Sequence, residues 1–456
     1  MIPVRAHSDG FTRLIAGLVF PLQERLKAHA TTAVRRRMEE SQWWPRARLE
    51  ALQLERLRAL LAHAGAHVPY YRELFARSGF DPGAVRALAD LGRLPFLTKP
   101  LIRAHVDALR SERAARLARF NTGGSSGEPL VFYIGAERVS HDVAAKWRAT
   151  RWWGVDVGDP EIVVWGSPIE LGAQDRLRGL RDRLMRTELL PAFEMSEAKL
   201  DRFVARIRAR RPKMLFGYPS SIALIARHAR RRGVRLDDLG VAVAFVTAER
   251  LYEDQRAAIA QAFGCRVANG YGGRDAGFLA HECPEGGMHL TAEDAIVEIV
   301  DAAGRALPAG EAGEIVVTHL ATKDFPFVRY RTGDVGVRDD RACACGRGLP
   351  LLAEVQGRTT DFVVAADGTV MHGLALIYSV REEPGIERFK IVQESLARTR
   401  VLVVPSPAFD PAAIGRIRAA FKRRLGGEVD VSVEVVDDIP PERSGKHRYV
   451  VSRVAA

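Results

Sequence analysis

Cysteine is scarce. Four residues in a chain of 456 cannot build a disulfide scaffold, and a chain this long can bury a core without one. The expected compartment is reducing and cytoplasmic. Long apolar runs are missing too: no stretch approaches the ~20 residues that cross a bilayer, which excludes a transmembrane helix. The opening "FTRLIAGLVFPLQERL" is apolar for only a few residues and runs into a basic stretch without a clear small-residue cleavage site. It reads as a helix packed on the body rather than as a signal peptide. Aromatics make up only 7% and do not alternate with the basic clusters, which argues against nucleic acid as a partner. Internal repeats and low-complexity linkers are absent as well.

What is present is ordinary for a globular protein: 47% hydrophobic and 27% charged residues, in a length that suits about two or three domains. Net charge is +12, mostly from arginine clusters such as "RRR" at 35–37, "RHARRR" at 227–232 and "KRRL" at 422–425. Most fall in helical patterns, where a solvated face is the default. Such a surface also favours polyanionic small molecules, acidic polymers or anionic lipid heads.

Residues 1–115 read as a helical lead-in, with apolar positions at three- and four-residue spacing in "ARLEALQLERLRALLAHAGAHVPYYRELF". From 130 to about 275, buried strand patterns ("EIVVWG", "MLFGYP", "VAVAFVTA", "CRVANGYG") alternate with helical ones, which predicts a parallel sheet with helices on both faces. Functional residues then gather at the strand C-terminal ends. After about 290 the pattern turns β-rich, and the tail has the size of a separate α+β domain. The expected division is α/β: a large N-terminal domain over 1–357 and a small, mobile α+β domain over 358–456, hinged near Gly357 to Asp361.

"TGGSSGEP" concentrates glycine and hydroxyl residues where nothing can anchor a core. Read alone, it is either a connection to the strand "LVFYIG" or a cradle of backbone N–H groups for a phosphate. It lacks the lysine of a GxxxxGK[ST] loop. Four further stretches follow in order: "YGGRDAG" at 271–277, "YRTGDVG" at 330–336, "GRTTD" at 357–361 and "PPERSGKHR" at 440–448. Each is weak alone; the ordered set resembles the adenylate-forming (acyl-CoA synthetase and ligase) superfamily. "WRATRWWGVDVGD", "GYPSS", "AHECPEGGMHL" and "CACGRGLP" resemble its phenylacetate–CoA ligase and CapK-like branch.

The resemblance implies a role for each motif. Thr122, Gly123, Gly124, Ser125, Ser126 and Gly127 would hold the β- and γ-phosphates of ATP. Asp275 stands at the Mg²⁺ position, with Asp where Glu is usual and Arg274 replacing Ser or Thr. Tyr271 would stack on adenine, Gly270 and Gly272 allowing close approach. Asp334, flanked by Tyr330 and Arg331, would take the ribose hydroxyls, and Arg358 would contact ribose or phosphate. Glu249 matches an acidic position near the nucleotide. Lys446 would neutralise charge between carboxylate and α-phosphate. The implied reaction is ATP-dependent activation of a carboxylic acid as an acyl-AMP, then transfer to coenzyme A. The alternative acceptor is an amine, a hydroxyl or a carrier-protein thiol. "GYPSS" and "VWGSP" are the expected lining of the acid pocket, and a homodimer is compatible with this reading.

Cys283 and His289 bracket five residues, while Cys343 and Cys345 flank one alanine. Three thiolates and an imidazole are a closed tetrahedral zinc set. Buried thiols that fill space are the alternative, and Cys265 reads as such a core residue.

Overall fold

The computed structural model describes residues 9–121, 130–165, 175–192, 194–355, 362–439 and 449–454. The phosphate-loop residues Thr122 to Gly127, together with Arg358, Asp361 and Lys446, lie outside them.

The lead-in is helical, as its periodicity requires. A continuous helix covers Gly10–Leu26, its first turn capped by Asp9, which accepts from the Thr12 N–H at 2.7 Å. Pro21 cannot donate to the carbonyl four residues back, and a wider π turn over Ile15–Val19 precedes it. Helices Thr31–Ser41, Arg46–His67 and Pro69–Ser78 follow. Pro69 drives the preceding residue, Val68, into extended geometry and so separates the last two. Leu57, Leu60, Leu61 and Ala64 form the buried stripe of the longest helix.

The strands, in chain order, are β1 (Ala118–Asn121), β2 (Val131–Ile134), β3 (Glu161–Trp165), β4 (Thr187–Pro191), β5 (Glu194–Met195), β6 (Met214–Gly217), β7 (Val243–Thr247) and β8 (Arg266–Gly273). Next come β9 (Gly277–Glu282), β10 (Met288–Leu290), β11 (Ala295–Val300), β12 (Ala312–His319), β13 (Tyr330–Asp339) and β14 (Leu351–Val355). The small domain adds β15 (Phe362–Val364), β16 (Val370–His372), β17 (Ile386–Ser395), β18 (Arg398–Pro405), β19 (Asp430–Val435) and β20 (Val450–Ser452).

Eleven strands form one mixed sheet in the order β11-β12-β13-β14-β10-β9-β8-β7-β6-β3-β4. From β4 to β8 neighbours are parallel; from β8 to β11 they are antiparallel. The parallel half is covered on both faces. Leu215, Ala244 and Val267 pack with Ile207, Ile222 and Ile259 of helices Glu197–Arg210, Pro219–Arg231 and Glu253–Phe263. Phe216, Phe245 and Ala268 pack with Ala149 of helix Ala136–Arg151 on the other face. Double burial is why these strands read as unbroken apolar runs.

In the small domain, β17 is antiparallel to β18, while β19 and β20 flank them in parallel. Helices Leu374–Arg381 and Ala413–Leu425 close its core around Ile377, Val380, Ile391, Val401 and Phe421. A two-residue strand of the large body, β5, pairs with β16, Met195 facing Val370, so the two domains share a three-stranded sheet. No helix among the described residues is long and apolar enough to cross a membrane.

Candidate active site

Two motifs carry the same spacing, a tyrosine and an aspartate four residues on: Tyr271 with Asp275, and Tyr330 with Asp334. The fold crosses them. The Tyr271 hydroxyl donates to Oδ2 of Asp334 at 3.1 Å, and the Tyr330 hydroxyl donates to Oδ2 of Asp275 at 2.6 Å. Burial and the Asp334 carboxylate push the Tyr271 phenol well above its ordinary pKa, so it stays a donor. The Asp334 backbone is fixed in turn: its N–H donates to Oγ1 of Thr332 at 3.1 Å, and Thr332 donates to the Ile315 carbonyl at 2.8 Å. Arg331, read as a flank of the ribose site, is tied to Glu314 at 2.7 Å instead.

Asp275 sits in the turn between β8 and β9, where its Oδ1 accepts the Ala276 N–H at 3.0 Å. The glycines before it have a packing reason. A Cβ on Gly270 would come within 2.9 Å of the Phe245 ring, and one on Gly272 within 2.2 Å of the Gly277 carbonyl oxygen. The close approach at these glycines is made by the chain itself. Arg274 reaches the Asn121 carbonyl at 3.4 Å, so its guanidinium lies at the residue immediately before the glycine-rich loop.

Glu249 follows Ala248, which is held at φ +73° at the end of β7. A non-glycine residue there stores about 1–3 kcal/mol of strain, a feature that clusters at functional sites. The Ser220 hydroxyl of "GYPSS" donates to this carboxylate. Next to it, Trp165 and Tyr218 stack with ring centroids 4.4 Å apart, and Phe216 and Phe245 continue the series at 6.0 Å. Aromatic rings thus run from the C-terminal ends of β3 and β6 to the buried middle of β7.

Three residues escaped the sequence reading. Arg138, fully buried on helix Ala136–Arg151, donates to the carbonyls of Arg274 and Asp275 at 3.4 and 3.2 Å and pairs with Asp142 at 2.8 Å. Asp142 also accepts the Phe278 N–H at 3.4 Å and lies 3.8 Å from His319. Gly277, at φ +92°, leaves room for the clasp: a Cβ there would lie 2.9 Å from the His319 ring and 3.0 Å from Arg138. Arg138 precedes Asp275 by more than a hundred residues, so no local pattern reveals the contact.

A second cluster lies in the antiparallel half. The ligand atoms of Cys283, His289, Cys343 and Cys345 all fall within 4.8 Å of one another. The Cys283 and Cys343 sulfurs are 3.6 Å apart, against ~3.8 Å for the edge of a zinc–thiolate tetrahedron with 2.3 Å bonds. Cys345 Sγ lies 3.2 Å from His289 Nε2, and Nδ1 of that ring lies 3.3 Å from the Leu349 carbonyl, which fixes its orientation. Hydrogen bonds from Cys283 and His289 hold the Cys345 thiol far below its ordinary pKa. Gly287 permits the closure, since a Cβ would meet Cys343 Sγ at 2.6 Å. Cys265 stands apart and is not a core residue: it is half-buried against the edge of the core, and desolvation pushes its thiol up to about 12.

A phenylacetate–coenzyme A ligase of Thermus thermophilus is 31% identical over 86% of this chain and 86% of its own. The chain belongs to the phenylacetate–coenzyme A ligase family of adenylate-forming enzymes. A Pseudomonas putida protein of the same name is 30% identical over 68% of this chain and 71% of its own. The family extends to the protein CapK of Staphylococcus aureus, 24% identical over 88% and 89% of the two chains. Residues 363–453 match the CapK C-terminal domain. The fold is that of a 2-hydroxyisobutyryl-CoA ligase in complex with 2-HIB-AMP and CoA, at a TM-score of 0.66, 22% identity and coverage of 90% and 91%.

Proposed function

We propose that this chain is an AMP-forming ligase that activates a carboxylic acid with ATP and passes the acyl group to coenzyme A. The observation that carries the reading is the crossed pair Tyr271–Asp334 and Tyr330–Asp275 at the C-terminal edge of the parallel strands. A carboxylate is too poor an electrophile for a thiol to attack directly. Attack of its oxygen on the α-phosphate expels pyrophosphate and leaves a mixed anhydride with a good leaving group. The protein must hold the two reactants in line and stabilise the charge that builds on the phosphoryl oxygens.

In this reading Asp334 binds the ribose hydroxyls, Tyr271 faces the adenine, and Glu249 and Arg358 lie near the nucleotide. Thr122 to Gly127 cradle the leaving phosphates. Asp275 would hold Mg²⁺, which would supply positive charge against the phosphates; its carboxylate is already oriented by Tyr330 and Ala276. Arg274, at the residue before the loop, adds charge-assisted donors for the phosphates. Lys446 stabilises the developing charge during adenylation. Trp165, Phe216, Tyr218 and Phe245 offer an acid an apolar, aromatic wall. The cluster of Cys283, His289, Cys343 and Cys345 would hold a structural zinc, since its donor set and spacing fit a closed tetrahedron.

A second acceptor class stays in play because residues 363–453 match the CapK C-terminal domain. An amine, a hydroxyl or a carrier-protein thiol would then replace coenzyme A in the second step, with the same adenylation in the first.

ATP–pyrophosphate exchange against a panel of aryl and short aliphatic acids tests the first step; no exchange with any acid overturns the reading. Thioester formation from the responding acid then separates coenzyme A from the other acceptors. Lys446→Ala should cut exchange by orders of magnitude yet still convert supplied acyl-AMP and acceptor to product.

A further inference from the structure

The first helix has an outer face that the described residues leave uncovered. Phe11 is 43% exposed, Leu14 50%, Leu18 60%, Leu22 55% and Leu26 81%, a stripe of large apolar side chains at three- and four-residue spacing along Gly10–Leu26. The inner face accounts for the helix's attachment. The Thr12 hydroxyl donates to Asp159 at 3.0 Å, and Ile15 and Phe20 pack on Val157 and Met185. The outer stripe contributes nothing to that anchoring and costs solubility, so its presence calls for a partner.

The charges around it indicate which partner. Residues 10–28 contain the cations Arg13, Arg25 and Lys27, and a single acid, Glu24, which is buried and accepts from Thr31 at 2.5 Å. Arg186 stacks over Phe11 at 5.4 Å. Two of the nearby cations are paired, Lys27 with Glu24 at 3.4 Å and Arg186 with the exposed N-cap Asp9 at 2.8 Å. Arg13 and Arg25 remain as exposed cations, so the outward surface is apolar along its centre and cationic at its flanks. A second copy docked antiparallel through the same face would set Arg13 of one copy against Arg25 of the other, because in a two-fold contact residue i meets j and j meets i. An anionic bilayer surface satisfies both features: leucine side chains enter the acyl boundary and the cations meet phosphate headgroups.

We propose that the helix Gly10–Leu26 lies in the plane of an anionic membrane surface and holds the protein there reversibly. The surface is separate from the candidate active site, so it can be tested whatever the acid proves to be. The full chain should float with vesicles of equimolar phosphatidylglycerol and phosphatidylcholine, and at least tenfold less with phosphatidylcholine alone. Leu18→Asp with Leu22→Asp should lower that binding at least tenfold, with circular dichroism and melting temperature unchanged. Independently, Leu18→Trp should move its emission to the blue on adding the anionic vesicles and not the neutral ones. Absence of flotation with the anionic vesicles, or an unmoved tryptophan emission, overturns the proposal. So does a concentration-dependent dimer that the double aspartate variant splits, which would make a second copy the occupant.

Discussion

Tyr271 and Asp334 touch, although three strands separate theirs in the sheet. The hydroxyl lies 3.1 Å from the carboxylate, yet β8 and β13 are spaced by β9, β10 and β14. Four strand intervals of about 4.8 Å would span roughly 19 Å if the sheet were flat. The antiparallel half must curl back over the parallel edge to close that distance. Register shifts lie between β8 and β9 and between β13 and β14, at the two ends of that span, and a bulge of this kind bends the strand that carries it.

The crossed pairs give separable effects. Tyr330→Phe removes the only side-chain donor described on Asp275 and should raise the magnesium–ATP concentration needed for half-maximal exchange about ten- to a hundredfold, the scale of one hydrogen bond to a charged group. Asp334→Ala should raise the Michaelis constant for ATP about ten- to a hundredfold while the acid's stays within twofold. Steady-state exchange kinetics check both, and an unchanged ATP constant in Asp334→Ala removes that residue from the site.

Arg138 acts through the turn that carries Asp275. Lysine in its place keeps a charge for Asp142 but loses the planar fork that reaches two carbonyls. Arg138→Lys should therefore raise the magnesium requirement several-fold and leave the Michaelis constant of the acid alone. Arg138→Ala should also destabilise the fold by about 1–3 kcal/mol, because the half-buried Asp142 loses its cationic partner. Adding Asp142→Asn should recover part of that stability without restoring the magnesium response. A purely structural arginine would show recovery of both.

Metal analysis of purified protein should find about one zinc per chain, in four-coordinate S₃N geometry. Cys345→Ser or strong chelation should lower the melting temperature by several degrees. Metal-free protein that melts at the same temperature as the untreated sample would leave the cluster as packed thiols.

Two histidines make stability depend on pH in opposite senses. His319 is fully buried between Arg138, Asp142 and Asp294, and burial lowers its pKa to about 4. The unfolded chain then binds the extra proton below about 6.5, so stability falls as pH drops from 6.5 toward 4, by about 2 kcal/mol at pH 5. Burial alone would lower His141 as well, but the Asp294 carboxylate, 2.5 Å away, raises it overall. Its contribution is complete below 6.5 and fades as pH rises through its folded value. Denaturant midpoints should peak near pH 6.5. His319→Asn, which keeps an acceptor for the Ala321 N–H, should flatten the acid side only.

The parallel strands, their covering helices and the motif order were legible in the sequence because each follows from neighbours along the chain. A doubly buried strand reads as an apolar run, as in "VAVAFVTA", and a tight turn needs its glycines, as in "YGGRDAG". The four zinc candidates were legible through side-chain chemistry, since thiolates and imidazole are few and distinctive in this chain. What the sequence could not show is which distant groups meet. The crossing of two Tyr-x₃-Asp pairs depends on sheet curl, and the hold of Arg138 on the Asp275 turn depends on a helix crossing the strand ends. The fusion of both halves into one eleven-stranded sheet depends on the three-residue β10. Each is set by the sum of many weak packing terms over long loops, and no short stretch of residues encodes that sum.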